Sequence, residues 1–256
     1  MLQLKFIVIG PYHSGKTSFI RIATRGQSIS INRSGTTISY DFGRSYFLDI
    51  RVDIYGTPGE ERFGFMREIV SIGADGVFLI IDSTDKSKDK DVYELWKLYN
   101  KILKEVPLLV LANKQDLPNA RCAEDLIEDM KFLAETPIIE TSMVTGYGVF
   151  KALNMMVYLA LANLYPVLIF LKKTRTFRAA SILSGLSTSD IAKIARYLEI
   201  RGLINVRWSE KKIMIPQNVV EVLQGIKYIK DRSMSLKDML KKANKVKEFV
   251  KRAGFY

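Results

Sequence analysis

Apolar positions fall into two different rhythms along this chain. Through the first 165 residues, short β-rich runs alternate with stretches of helical spacing. Leu4 to Ile9 reads as a strand that leads into a helix opening at Gly15. Tyr46 to Tyr55, Gly76 to Ile81 and Leu108 to Ala112 read as three more strands. The last two are near-continuous apolar runs, as in strands covered by helices on both faces. Helical spacing fills the intervals at Asp91 to Leu103, Cys122 to Leu133 and Gly148 to Leu164. The pattern predicts an α/β fold, a mostly parallel sheet with helices on both faces.

At Pro166 the rhythm changes. Val167 to Lys173 is apolar, and Phe177 to Leu183 predicts a short helix ended by Gly185. Ser187 or Thr188 caps a third helix, whose Ile191, Ile194, Ala195 and Leu198 keep helical spacing until Gly202. Leu203 to Arg207 and Lys212 to Ile215 flank the turn Trp208-Ser209-Glu210-Lys211 as a hairpin-like pair. Ser235 with Asp238 then resembles a capping box. It opens a Lys-rich helix with Leu236, Met239, Leu240, Ala243, Val246 and Val250 on one side. Three segments are expected: residues 1–165, residues 166–216, and a basic helical extension over 217–256.

Composition narrows the classes. Of 256 residues, 48% are apolar and 26% charged, ample for a packed core and against general disorder. Cys122 is the single cysteine, which excludes a disulfide scaffold and fits a reducing cytosol. The chain opens MLQLKFIVIG with no secretory signal, Leu2 stands where myristoylation needs glycine, and no prenylation box is read. A cytoplasmic location is the expectation. The most apolar stretch, Met155 to Leu171, is interrupted by Asn163, Tyr165 and Pro166 and reads as a buried helix without a transmembrane segment. Charge is uneven. Residues 1–165 hold 19 basic and 20 acidic residues, whereas residues 166–256 hold 20 basic and 7 acidic. The basic excess therefore lies in the last third, which implies a nucleic acid, an anionic membrane or an acidic protein as partner.

Two motifs carry chemistry. Gly10-Pro11-Tyr12-His13-Ser14-Gly15-Lys16-Thr17 satisfies GxxxxGK(S/T), directly after a strand and before a helix. Its glycines let successive backbone N–H groups point at phosphates, Lys16 reaches the β- and γ-phosphates, and the Thr17 hydroxyl can ligate Mg²⁺. Asn113-Lys114-Gln115-Asp116 follows an apolar strand. A carboxylate at Asp116 can accept from both N1–H and the exocyclic amine of guanine, an edge adenine lacks.

With these motifs the chain resembles a small GTPase of the Ras superfamily over roughly residues 1–165. Val106 to Ala120, VPLLVLANKQDLPNA, is similar to the Arf-related branch. Gly56-Thr57-Pro58-Gly59-Glu60-Glu61-Arg62-Phe63 is similar to prokaryotic small GTPases of the MglA-like kind. The resemblance implies a Ras-like P-loop NTPase fold, GTP or GDP and Mg²⁺ as ligands, and a GTPase-activating or exchange protein as partner. It also implies that backbone N–H groups near Ser142 and Met143 meet the base oxygen. A first-switch threonine, Thr37 with Thr36 as the alternative, would bind Mg²⁺ and the γ-phosphate. On this reading the nucleotide site comprises Tyr12, His13, Ser14, Gly15, Lys16, Thr17, Ser18, Thr37, Gly59, Asn113, Lys114, Asp116, Leu117, Ser142 and Met143. Thr17 and Thr37 hold the metal, and Lys16, Thr37 and Glu60 carry catalysis. His13 is expected to lend only its backbone, Cys122 no chemistry, and Asp82 a turn.

Two departures from the family pattern bear on rate. In the better register Gly56 replaces the Mg²⁺-associated carboxylate, and Asp53, three residues back on the other strand face, substitutes poorly. Glu60 replaces the glutamine that orients the attacking water, so its charge faces the γ-phosphate, and Tyr12 crowds the approach of an arginine finger. Phosphoryl transfer rests on positioning and charge neutralisation. Slow hydrolysis without a partner is therefore expected.

The last third resembles a winged helix-turn-helix. For nucleic acid, the third helix would offer Ser189, Lys193, Arg196 and Tyr197, while Arg207, Lys211 and Lys212 with Arg175 and Arg178 would meet phosphates. Protein docking, and membrane-surface contact through residues 235–253, remain alternative uses of the same segment. Three functions stay open: a GTP/GDP switch, a nucleic-acid-binding regulator with incidental hydrolysis, and a scaffold holding GDP structurally.

Overall fold

β1 (Leu2–Ile9) supplies the strand that ends in the phosphate-loop motif. It is seen in a computed structural model that describes residues 2–31, 40–47, 50–57, 72–103 and 105–221. Thr36, Thr37, Gly59, Glu60 and the extension from 222 onward lie outside the described residues. The chain forms two compact units, Leu4–Val157 and Met1–Gln3 with Tyr158–Tyr256.

In chain order the first unit contains α1 (Lys16–Ala23), β2 (Ser28–Ile31), β3 (Tyr40–Phe47), β4 (Ile50–Gly56) and β5 (Gly76–Asp82). It continues with α2 (Asp89–Ile102), β6 (Leu108–Asn113), α3 (Ala123–Asp129) and β7 (Ile138–Glu140). The sheet order is β2-β3-β4-β1-β5-β6-β7. β1, β5, β6 and β7 are parallel, while β2, β3 and β4 form an antiparallel edge. Every residue of β5 and β6 is buried, as the unbroken apolar runs require. β4 alternates instead, burying Ile50, Val52, Ile54 and Gly56.

Tyr46 to Tyr55, expected to hold one strand, is a hairpin in which Phe47 pairs with Ile50. Leu48-Asp49, the link, contains neither glycine nor proline, so nothing punctuates the stretch FLDIRVDIY. The parallel strands place their carboxyl ends together, with Asp82 paired to Asn113 and Ala112 to Glu140. Ligands of open α/β sheets bind outside such ends. At the other end of β5, a Cβ on Gly76 would run into the Met156 side chain, so glycine lets that residue pack against the sheet.

α4 (Val149–Thr174) contains Pro166 and does not stop there. Proline removes one helix hydrogen bond. Burial of Leu164, Val167, Leu168, Phe170 and Leu171 holds the next turns in place nonetheless. At 26 residues the helix has the length and composition to cross a bilayer, but half of its most apolar stretch is buried inside the fold.

In the second unit, Thr176 accepts from Ala179 N at 3.2 Å and caps α5 (Phe177–Ser184), which Gly185 ends at φ 69°. Ser187, rather than Thr188, caps α6 (Thr188–Ile200), accepting from Asp190 N at 3.0 Å. β8 (Asn205–Arg207) and β9 (Lys212–Met214) form the antiparallel hairpin, and Thr176 bridges to Lys212 beside it. Arg201 is buried and holds the start of β1. Its carbonyl accepts from Gln3 N and its Nη2 donates to Gln3 O, both at 3.0 Å.

Candidate nucleotide site

Gly10 and Gly15 have φ of 158° and 105°. A Cβ on Gly10 would stand 2.5 Å from Ile80 O and 2.6 Å from Ser14 Oγ, so the loop can lie this close to β5 only with glycine there. Gly15 is a left-handed N-cap, the conformation that favours glycine. The first-turn N–H groups of α1 have no intrahelical acceptor by geometry. Lys16 Nζ lies over this loop and donates to Gly10 O at 2.9 Å and Pro11 O at 2.7 Å. Ser14 is fully buried, and its Oγ has no hydrogen-bond partner among the described residues. These features fit an anion: converging N–H donors, a cation above them and a glycine-built curl. Tyr12 is exposed, with its ring 3.9 Å from that of His13 between centroids. His13 itself takes φ 63°.

The second motif is locked to the first through one amide. Asn113, buried at the end of β6, donates from Nδ2 to Ser14 O at 2.8 Å and accepts at Oδ1 from Met143 N at 3.1 Å. A side chain on Gly15 would collide with this amide. Asp116 Oδ1 accepts from the buried Ser142 hydroxyl at 2.6 Å, while Asp116 itself is exposed. The loop residues expected to read the base are thus assembled from three strand ends, with Asn113 and Ser142 as scaffold.

Lys114, at φ 71°, donates to Asp82 Oδ2. Asp82 also accepts from Thr84 N at 3.0 Å and Thr84 Oγ1 at 2.7 Å. Burial opposes the charge of Asp82, yet the hydrogen bonds from Lys114 and Thr84 prevail and hold its pKa below the ordinary carboxylate value. Asp82 therefore forms the expected turn and also anchors the lysine of the second motif. Behind the loop, Gln115 Nε2 donates to Arg121 O at 2.8 Å. Arg121 is buried and makes a two-point bridge to Asp89, at 2.7 and 2.8 Å, and a third contact to Asp129 at 2.9 Å. Leu117 is exposed beside Asp116, and Ser18 makes no side-chain hydrogen bond among the described residues.

The metal side holds a residue the sequence reading missed. Thr17, exposed at the start of α1, donates from Oγ1 to Asp41 Oδ2 at 2.5 Å. Asp41 is only 6% exposed, on β3. Because Phe42 pairs with Tyr55, the next antiparallel pair outward is Asp41 with Gly56. Cross-strand partners project to the same face. A Cβ on Gly56 would lie 3.0 Å from Asp41 Cβ and 2.9 Å from Ile20 Cδ1. The carboxylate missing at position 56 is thus present on the neighbouring strand. Asp53 is engaged elsewhere, accepting from Arg44 Nε at 2.7 Å and facing Arg51 Nη2 at 3.2 Å. The expected strand begins only at Tyr46, whereas β3 begins at Tyr40, so the sequence pattern gives Asp41 neither a face nor a partner. An acid between aromatic residues soon after Thr37 was its only local signal.

Comparison with known proteins agrees with this geometry. A family model described as "Ras family" matches residues 5–161. Mutual gliding-motility protein MglA of Myxococcus xanthus is 26% identical over 182 residues, covering 64% of this chain and 93% of the relative. A Methanocaldococcus jannaschii protein, MJ1339, is 30% identical over 124 residues, covering 48% of this chain and 77% of its own length. Small GTPases of this kind bind GTP or GDP with Mg²⁺ and hydrolyse GTP. With the family match running from the middle of β1 into α4 and the two sequence motifs interlocked through Asn113, the chain belongs to the Ras family.

Proposed function

We propose that this protein is a GTP/GDP-binding switch with slow intrinsic GTP hydrolysis, coupling its nucleotide state to a basic winged-helix-like module. The observation that carries the reading is the interlock of Ser14, Asn113 and Met143 beside Asp116, which unites a phosphate cradle with a guanine-edge acceptor. Backbone donors from Tyr12 to Ser18 and the Lys16 ammonium receive the phosphates. Asp116 and Lys114, with Leu117, Ser142 and Met143, select and cover guanine.

Thr17 and Thr37 hold Mg²⁺, with Asp41 accepting from Thr17 and supplying the negative charge that Gly56 lacks. Bound there, the ion neutralises charge on the β- and γ-phosphates. Thr37, Gly59 and Glu60 are the residues the resemblance assigns to the γ-phosphate, where the two nucleotide states differ. Glu60 holds the attacking water less favourably than a neutral amide because it faces like charge. Turnover well below ordinary enzyme rates of about 10 s⁻¹ follows, with a GTPase-activating or exchange protein setting the cellular rate.

We assign residues 1–165 to the GTPase, 166–216 to the module and 217–256 to a basic extension, in a cytoplasmic protein. Three helical segments, a hairpin and the Thr176–Lys212 bridge in place of a third strand support the winged-helix reading. A second reading, in which nucleic-acid binding is the main output and hydrolysis incidental, draws on the same basic module. Denaturing the purified protein and identifying the released nucleotide, then measuring GTP, GDP and ATP affinities by calorimetry, tests the proposal. Guanine nucleotides should bind and ATP should not; equal ATP affinity overturns it. Single-turnover hydrolysis near 10 s⁻¹ without a partner overturns the slow-switch part alone.

A further inference from the structure

We infer that the second unit docks on duplex DNA, with the exposed face of α6 in the major groove and the β8–β9 hairpin against the phosphate backbone. The inference rests on the winged-helix reading and adds a partner and an orientation. α6 buries Ile191, Ile194, Ala195 and Leu198, which turns Ser189, Lys193 and Arg196 outward at helical spacing.

The hairpin is fastened beside that face. Glu199 Oε1 accepts from Val206 N at 3.0 Å, and its Oε2 accepts from Trp208 Nε1 at 2.9 Å. The Trp208 ring meets Phe177 edge-on at 5.6 Å between centroids, and the Arg196 guanidinium lies 5.7 Å from the Trp208 centroid. Phe177 N donates to Lys211 O at 3.0 Å, which brings the hairpin turn to the start of α5 beside Arg178. Arg196 on the helix and Lys211 and Arg178 near the hairpin therefore flank one aromatic post.

Between Lys172 and Met214 stand ten basic residues and three acidic ones. All three acids have partners: Asp190 faces Lys193, Glu199 faces Arg196 and Glu210 faces Arg207. These bridges are 3.4–3.6 Å long and their cations are 49–64% exposed. Surface pairs of this kind contribute little and can exchange for phosphate contacts. A protruding helix requires a wide major groove, which B-form DNA has and A-form RNA lacks. The flanking cations suit the phosphate rows on either side of it.

The test uses the full chain and a fluorescein-labelled mixed-sequence duplex DNA, followed by anisotropy from about 50 to 200 mM salt. Contacts from five or six of Arg178, Lys193, Arg196, Arg207, Lys211 and Lys212 give a log–log salt slope of about −5. Lys211→Ala with Lys212→Ala should reduce the slope's magnitude by about 2. Failure to bind at the lowest salt overturns the docking, as does equal affinity for duplex RNA or single-stranded DNA of the same length. So does a wild-type slope when Lys193, Arg196, Lys211 and Lys212 are all alanine, which assigns binding to the basic extension. Binding of a fluorescent GDP by each variant reports the first unit separately. Amide exchange at residues 205–214 reports the hairpin. Protection without DNA binding overturns the docking alone, and rapid exchange overturns the winged-helix architecture with it.

Discussion

Moving the carboxylate between β3 and β4 tests the Mg²⁺ reading most directly. Asp41→Asn keeps the side-chain shape and an acceptor for Thr17 while removing the charge. A hydrogen bond to a charged group contributes about 1.5–3 kcal/mol, and changing an outer-shell carboxylate typically costs about 10–100-fold in metal affinity. The Mg²⁺ concentration that half-maximally slows release of a fluorescent GDP should therefore rise about 10–100-fold. Gly56→Asp alone places a new Cβ 2.9 Å from Ile20 Cδ1 and 3.0 Å from Asp41 Cβ, with two carboxylates facing across one strand pair. Overpacking of this sort costs about 1–3 kcal/mol before charge repulsion is added. Asp41→Ala combined with Gly56→Asp removes the charge repulsion while both Cβ contacts persist, since alanine keeps its Cβ, and should restore part of the Mg²⁺ response lost in Asp41→Ala. Stopped-flow release across a series of buffered free Mg²⁺ reads all of these proteins, with Asp53→Asn as a control expected to behave as wild type. A wild-type Mg²⁺ response in Asp41→Asn refutes the reasoning, and so does a double variant no more responsive than Asp41→Ala.

Asp116→Asn removes the paired acceptor for the guanine edge and should weaken GDP by about 3 kcal/mol, roughly a hundredfold, measured by calorimetry. Arg121→Ala leaves Asp89 and Asp129 without their shared cation. Because both acids retain some solvent, 22% and 30% exposed, the loss should be about 2–3 kcal/mol, below that of a fully buried pair. That corresponds to a melting temperature about 4–12 °C lower, together with faster GDP release as the loop behind Gln115 loosens. Asp82, whose folded pKa is lowered from 3.8, contributes stability that is fully present above its unfolded pKa and is lost as pH falls through the folded value. Thermal melts from about pH 6 to pH 3 should therefore show a steeper acid decline in wild type than in Asp82→Asn, with the curves differing by a constant above about pH 5. A parallel decline in both proteins contradicts the assignment.

The phosphate-loop string and the Asn113-Lys114-Gln115-Asp116 string were legible because each is contiguous and stands directly after an apolar strand. The parallel strands were legible for the same reason: continuous burial leaves a continuous apolar run. What stayed hidden depends on pairing across the chain. Leu48-Asp49 contains no punctuating residue, so the end of β3 and β4 read as one strand from Tyr46, and without the rest of β3 neither the face nor the partner of Asp41 could be assigned. α4 passing through Pro166 was hidden too, because the burial that outweighs the lost hydrogen bond comes from residues far apart in sequence.

Gly56 is better understood as half of a cross-strand device than as a missing acid. Gly43 lies two residues beyond Asp41 on β3, so both project toward the same face. A Cβ on Gly43 would stand 2.5 Å from Thr24 Cγ2 and 3.0 Å from Ile20 Cγ2, both in or just beyond α1. A Cβ on Gly56 would meet the same Ile20. The two glycines therefore let α1 approach the β3–β4 hairpin along its length, and that approach brings Thr17 within 2.5 Å of Asp41. A side chain restored at position 56 would press its Cβ on Ile20, push α1 outward and separate that pair. Absence of the family's acid from β4 and presence of an acid on β3 are thus one structural choice.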